Sequence, residues 1–304
     1  MATVLITGGT GLIGTALTRE LLNKGYDIII LTRSPWKYSN TSKLSYAGWD
    51  LEKQTIDKDA ILKSDYIIHL AGANVGGKRW TSKRKNEIFE SRVKSSGLIV
   101  KSLKENANDV KAVISASGIG WYGKGGEEKP FIETDPGAED FMGTTCQAWE
   151  ASIGPVASLG KRLVKFRTGV VLSAEGGALP RFRKPLRFGV ATILGNGRQV
   201  LSWIHIDDLV RLYRFAIENE KLSGVYNAVA PHPVANKKFV LQVAKTVRGK
   251  FFVPIFVPSF ILDIVLGEMS IEVLKSATVS CEKIKKEGYS FLYPSFKAAC
   301  KAIL

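Results

Sequence analysis

The chain has 304 residues, 45% of them hydrophobic and 23% charged, and carries a formal net charge of +15 at pH 7. That balance supports a full buried core and excludes an intrinsically disordered chain. The Lys and Arg excess is scattered, without any block of five like charges. It predicts a basic solvated surface that can help bind anionic ligands, and no nucleic-acid partner.

A first strand is expected over Thr3–Thr7, leaving no signal or transit peptide ahead of Val4. It is followed directly by Thr7-Gly8-Gly9-Thr10-Gly11-Leu12-Ile13-Gly14 and then by a helix with Ile13, Leu17 and Leu21 at four-residue spacing. Strand, glycine turn and helix in that order are the phosphate-binding entry of a dinucleotide fold. The glycines allow a tight turn, a close approach to the pyrophosphate and close helix–strand packing. The helix N-terminus offers its free N–H groups to the phosphates. Gly8, Thr10, Gly11, Leu12, Ile13 and Gly14 are therefore candidate cofactor residues.

The second strand, Asp27–Thr32, ends in Leu31-Thr32-Arg33-Ser34 with no acid at its tip. NAD sites place a carboxylate there for the ribose 2′-hydroxyl, whereas NADP sites use Arg against the 2′-phosphate. Thr32 and Arg33, with Lys37 close by, thus point to NADP. The alternative for Arg33 is an exposed surface residue. Further strands are expected at 66–70, 111–115 and 163–172. Between them a long helix should bury Phe89, Val93, Ser96, Val100 and Leu103. The pattern is α/β, a doubly wound parallel Rossmann-type sheet. Residues 1–175 would form the dinucleotide-binding domain, also receiving about 200–230, and residues 176–304 a smaller, mainly helical substrate lobe. In that lobe the apolar run 251–266 is interrupted by Pro254, Pro258 and Asp263. It predicts a core helix or a lid over a pocket, no membrane span and no membrane partner.

Cys146, Cys281 and Cys300 form no CxxC pair, and His69, His205 and His232 have no metal-ligand spacing. A reduced, soluble, cytoplasmic protein without a metal site is expected, as a monomer or homodimer.

Together with the glycine turn, His69-Leu70-Ala71-Gly72-Ala73 and Trp203-Ile204-His205-Ile206-Asp207-Asp208 resemble the extended short-chain dehydrogenase/reductase superfamily. Lys78-Arg79-Trp80-Thr81, Cys146-Gln147-Ala148-Trp149-Glu150, Gly195-Asn196-Gly197-Arg198-Gln199 and Leu266-Gly267-Glu268-Met269-Ser270 are similar to its atypical epimerase-family members. The resemblance implies that Leu70, Ala71 and Gly72 line the adenosine and pyrophosphate edge. It sets Asp50 at the adenine amino group, or as a turn cap. Arg92 would lie near the ribose, with Glu87 upstream, unless Glu87 is only a surface ion pair. Thr168, Gly169 and Val170 would flank the nicotinamide.

Typical members of the superfamily use a Tyr–Lys pair as YxxxK on one helix, in which Lys lowers the Tyr pKa for proton transfer. Here Phe141 and Thr145 stand at those positions. Ser117 remains, matching a strand-end serine that holds a substrate oxygen, with Glu150 and, unless it is a packing aromatic, Tyr122 as candidate proton carriers. Arg167 and His205 could bind substrate or be buried structural groups. Two functions are expected. One is a slow or atypical NADP(H)-dependent oxidoreductase or epimerase acting on a small carbonyl or sugar-type substrate. The other is a non-catalytic NADP(H)-binding sensor or scaffold.

Overall fold

The computed structural model describes residues 2–304. The chain begins β1 (Thr3–Thr7), α1 (Leu12–Asn23), β2 (Asp27–Thr32), β3 (Leu44–Asp50), β4 (Thr55–Ile56), α2 (Lys58–Leu62) and β5 (Tyr66–His69). It continues through α3 (Ser82–Glu105), β6 (Ala112–Gly118), α4 (Phe141–Ile153), β7 (Arg162–Thr168) and β8 (Val170–Leu172). Then come α5 (Leu179–Leu186), β9 (Val190–Leu194), β10 (Val200–Leu201), β11 (Trp203–His205), α6 (Ile206–Glu218) and β12 (Gly224–Ala228). The last elements are β13 (Val234–Ala235), α7 (Asn236–Arg248), β14 (Val253–Val257), α8 (Ser259–Leu266), α9 (Met269–Leu274), α10 (Glu282–Lys286) and α11 (Phe296–Ile303).

The main sheet has the order β12-β7-β6-β5-β1-β2-β3-β4, parallel throughout except for β4. It is the doubly wound Rossmann arrangement. Its strand order reverses between β1 and β5, and ligands bind at that point, beyond the carboxyl ends of the strands. The central strands β1, β5 and β6 bury both faces. Val4 and Ile6 meet Leu17 and Leu21 of α1 and Leu209, Leu212 and Tyr213 of α6. Leu5 and Ile67 meet Ile61 of α2 and Leu98, Ile99 and Leu103 of α3.

The structure corrects three sequence expectations. First, α3 buries Ile88, Arg92, Ser95, Ser96, Ile99, Ser102 and Leu103, while Phe89, Val93 and Val100 are only half-buried. The buried stripe is shifted by about one residue because half of it is polar, so apolar spacing alone pointed to its flank. Second, the strand expected over 163–172 is two strands. Gly169 breaks it, since a Cβ there would lie 2.6 Å from the Ser202 carbonyl oxygen. Beyond that glycine β8 leaves the main sheet and pairs with β11. Third, the apolar run 251–266 is not a core helix. It forms β14, paired with β9, and α8, both largely exposed. Among the described residues no helix is long and apolar enough to cross a membrane.

Candidate cofactor cleft and the Arg167 cluster

At the switch point the turn after β1 and the segment after β5 lie against each other. Thr7 Oγ1 accepts the amides of Leu70 and Ala71, both at 3.2 Å, and lies 2.7 Å from His69 Nδ1. Its acceptor capacity being used by those amides, the hydroxyl proton goes to Nδ1. His69 is therefore neutral, with its proton on Nε2 facing Ser96 Oγ at 3.1 Å. Complete burial holds its pKa down at about 3. The Thr7–His69 pair locks the floor of the cleft.

The glycines differ in what they permit. Gly8 has φ +69°, and a Cβ on it would sit 3.0 Å from the Leu70–Ala71 peptide. A Cβ on Gly14 would lie 2.3 Å from the Gly8 carbonyl oxygen. Gly11 is exposed, and a Cβ there meets only Gly8 O, at 3.3 Å. The space before Gly11 is thus open. No side chain caps α1, so the amides of its first turn at Leu12, Ile13 and Gly14 face that space without a side-chain acceptor. Thr10 is exposed on the same loop. This cradle suits a pyrophosphate.

Arg33 projects from the tip of β2, exposed, and forms no ion pair among the described residues. Thr32 Oγ1 braces the bend by accepting the Ser34 amide at 3.4 Å. Lys37 is exposed on the short turn that follows. Asp50 turns its Oδ1 to the amides of Glu52 and Lys53, at 2.9 and 3.1 Å. Those bonds hold its carboxyl below the usual range. It caps the β3–β4 turn. Glu87 accepts from Arg84 at 2.5 Å, which depresses its pKa, with smaller contributions from Lys78 and Arg33. Arg84, which the sequence analysis passed over, also donates to the Asn74 carbonyl and so pins the loop after β5.

Arg92 is 8% exposed on α3. It donates to the Ala73 and Ile88 carbonyls at 3.1 and 2.8 Å and lies 4.8 Å over the Trp149 ring. Burial lowers its pKa to about 10, so it is still cationic at neutral pH. Its Cζ would be 3.1 Å from a Cβ on Gly72. A side chain at 72 would make this guanidinium shift by a few tenths of an ångström.

The candidate proton-transfer residues converge on one side chain. Period-two alternation along β6 sets Ser117 on the same face as Val113, beneath α4 and beside Arg167, its register partner on β7. Ser117 Oγ donates to Glu150 Oε1 at 2.8 Å. Arg167 donates to both carboxylate oxygens of Glu150, at 2.8 and 3.2 Å, and the Lys165 ammonium lies 3.3 Å away. The other arm of Arg167 donates to Tyr122 Oη at 3.0 Å, and Tyr122 donates to Asn227 Oδ1 at 2.6 Å. Trp121 covers the guanidinium at 3.6 Å. Burial raises the Tyr122 pKa to about 12. The phenol is thus a hydrogen-bond donor at neutral pH, not a base. Asn227, like Arg84, gave no signal in the sequence, since nothing local marks a lone Asn on a strand.

The YxxxK positions carry no acid–base group. Phe141 packs edge-on against Trp80, 5.0 Å between ring centres, and Thr145 Oγ1 donates to the Phe141 carbonyl at 2.6 Å. His205 caps α6, its Nδ1 accepting the Asp207 amide at 3.0 Å, and its ring lies 3.9 Å from that of Tyr293. Gly169 and Val170 sit at the carboxyl end of β7, with amides bonded to Ala228 O and Ser202 O at 3.1 and 2.9 Å. Among the described residues no group of His, Cys, Asp or Glu could hold a metal ion.

Residues 4–148 match the NAD dependent epimerase/dehydratase family, and residues 257–303 match a domain of unknown function, DUF1731. The chain is 33% identical to epimerase family protein YfhF of Bacillus subtilis (strain 168) over 302 residues, 99% of this chain and 97% of that protein. It is 34% identical to an epimerase family protein of Staphylococcus haemolyticus over 304 residues, 100% of this chain and 99% of that one. Among solved structures it matches human epimerase family protein SDR39U1 (isoform 2) with NADPH. The TM-score is 0.86 at 29% identity, over 99% of this chain and 98% of that chain. A nucleoside-diphosphate sugar epimerase from Corynebacterium glutamicum matches with TM-score 0.78 at 29% identity, over 99% of this chain and 58% of that one. With a switch-point cleft that fits a dinucleotide and full-length relatives on both counts, this chain belongs to the epimerase family, an NAD(P)-binding branch of the extended short-chain dehydrogenase/reductases.

Proposed function

We propose that the chain binds NADP(H), and that any hydride transfer from it is slow because no tyrosine–lysine relay serves the cleft. The observation that carries the cofactor preference is Arg33, cationic, exposed and without an ion-pair partner among the described residues, at the strand tip that faces the adenosine ribose. The NADPH present in the human relative's structure supports the same choice. Gly8, Thr10, Gly11, Leu12, Ile13 and Gly14 would hold the pyrophosphate, and Thr32 and Arg33 the phosphorylated ribose. Asp50 and Glu87 would border the adenosine end. Leu70, Ala71, Gly72 and Arg92 would form the wall, and Gly169 and Val170 would flank the nicotinamide. When bound, NADPH supplies a hydride. The partner substrate would be a small carbonyl or sugar-type molecule. A charge-assisted pair with the 2′-phosphate is worth roughly 1.5–3 kcal/mol. Arg33→Ala is therefore expected to weaken NADPH binding about tenfold or more in calorimetric titration, and NADH binding little. Equal affinity for NADPH and NADH in the unaltered protein would rule out the assignment.

The slow-turnover half of the reading rests on Ser117 donating to Glu150, Arg167 holding Glu150 and Tyr122, and Tyr122 donating to Asn227. To move a proton, each would first have to break a buried, partly charged hydrogen bond. General acid–base help worth roughly 10²–10⁴-fold is then missing. Ser117→Ala separates a substrate contact from a structural one. We expect it to lower the melting temperature and leave single-turnover NADPH oxidation, measured over a carbonyl and nucleotide-sugar panel, within about twofold. A tenfold fall in rate at unchanged NADPH affinity would make Ser117 a catalytic residue instead.

A further inference from the structure

The lobe formed by α5, β9, α7, β14 and α8 has a surface that the cofactor cleft does not explain. Residues 179–195 and 236–266 together hold nine Lys or Arg and a single acid, Asp263. None of the nine takes part in an ion pair among the described residues, whereas Arg84, Lys85 and Lys94 of α3, Arg211 and Arg214 of α6 and Lys285 of α10 do. Arg183, Lys184, Arg187 and Arg248 converge around one open groove between α5 and α7.

Large apolar side chains stand out of the same surface. Phe188 is 84% exposed and Phe251 83%. They sit on two adjoining turns that the backbone ties together: Phe251 N donates to Arg248 O at 3.1 Å and Val253 N to Gly189 O at 2.8 Å. Two protruding phenyl rings are thus flanked in sequence by Arg187, Arg248 and Lys250. From there β14 runs about 17 Å, with Val253, Pro254, Ile255 and Phe256 all exposed and β9 as its one strand partner. It leads into α8, whose Leu262 is buried and whose Phe260, Ile261, Ile264 and Val265 face outward. In an eight-residue helix those four positions share one side. A continuous apolar edge rimmed by unpaired cations results.

We propose that this edge docks the protein on an anionic lipid bilayer. Phe188, Phe251 and the outer side of α8 enter the boundary between headgroups and acyl chains, and Arg183, Lys184, Arg187, Arg248 and Lys250 meet the anionic headgroups. The charge selects this occupant. A second copy would bring nine more cations to the same interface, and a neutral apolar partner would leave them unused. No membrane partner is expected from the sequence, and docking here departs from that expectation. This is attachment in the plane of the surface.

The test is flotation of the full chain with vesicles of phosphatidylcholine alone and of phosphatidylcholine with 30% phosphatidylglycerol, about 0.1 M salt. Binding is expected to the anionic vesicles, at least tenfold tighter than to the neutral ones, and weaker at higher salt. At about fivefold per cation, Lys184→Glu/Arg187→Glu/Arg248→Glu should reduce it by about 100-fold or more. Phe188→Ser/Phe251→Ser should reduce it at least tenfold while salt dependence persists. Both variants lie on exposed positions, and unchanged circular dichroism and melting temperature confirm that they fold. Three results would overturn the proposal: no flotation, flotation indifferent to phosphatidylglycerol, or flotation unchanged by the Phe pair. Dimerisation in light scattering that Ile264→Asp abolishes, without vesicle binding, would assign the edge to a second copy instead.

Discussion

Gly11→Val is expected to abolish NADP(H) binding in a protein that still folds. The argument turns on the difference between the glycines of the turn. At Gly14 a Cβ would meet the Gly8 carbonyl oxygen at 2.3 Å, so substitution there breaks the turn itself and says nothing about ligand. At Gly11 the nearest atom is 3.3 Å away and the backbone has φ −85°, which any L residue adopts. Valine therefore costs the fold little. Its methyls would stand where the pyrophosphate must approach the first-turn amides of α1. NADPH titration should show a loss of at least 100-fold in affinity, with the melting temperature of the ligand-free protein moved by only a few degrees. Tight NADPH binding by this variant would mean that the turn is purely structural.

Arg167→Met should produce the largest loss of stability. The guanidinium is buried, satisfies both oxygens of Glu150 and also reaches Tyr122 and the Glu133 carbonyl. Removing it leaves the Glu150 carboxylate, 5% exposed, with only Lys165 and Ser117. Breaking a buried pair by deleting one partner costs about 3–5 kcal/mol. The lower end applies because the Lys165 ammonium remains at 3.3 Å. Denaturant unfolding should report the loss. Arg167→Met/Glu150→Gln should recover about half of it, since the orphaned charge is gone. A double variant as unstable as Arg167→Met alone would show that Arg167 acts through Trp121 and Tyr122 packing and not through the ion pair.

What was legible in the sequence was what the chain requires locally. β1, the turn and α1 occupy 21 consecutive residues, Thr3–Asn23, and each glycine in the turn answers to atoms at most a few positions away or to the adjoining strand. Arg33 is read from β2 in the same way, because it directly follows the last residue of that strand whatever packs elsewhere. The alternating strands and helices announced the doubly wound sheet before any contact was known.

Other features depended on distance in the chain. Ser117, Glu150, Arg167, Tyr122 and Asn227 meet although up to 110 residues separate them. As isolated letters, Ser117, Tyr122 and Glu150 read as a catalytic set. Only the pairing of β6 with β7 under α4 brings them together around one guanidinium, which donates to Glu150 and Tyr122 while Ser117 donates to Glu150. The α3 stripe was displaced for a related reason. Arg92 and the serines beside it are buried because the cleft and His69 can satisfy them, and apolar periodicity has no term for a satisfied polar group. The core-helix reading of 251–266 failed for the opposite cause. Apolar spacing records that a surface is to be kept from water, but not whether the cover comes from the same chain. Among the described residues β14 pairs with β9 alone and α8 turns outward, so the tertiary structure leaves this apolar run largely uncovered.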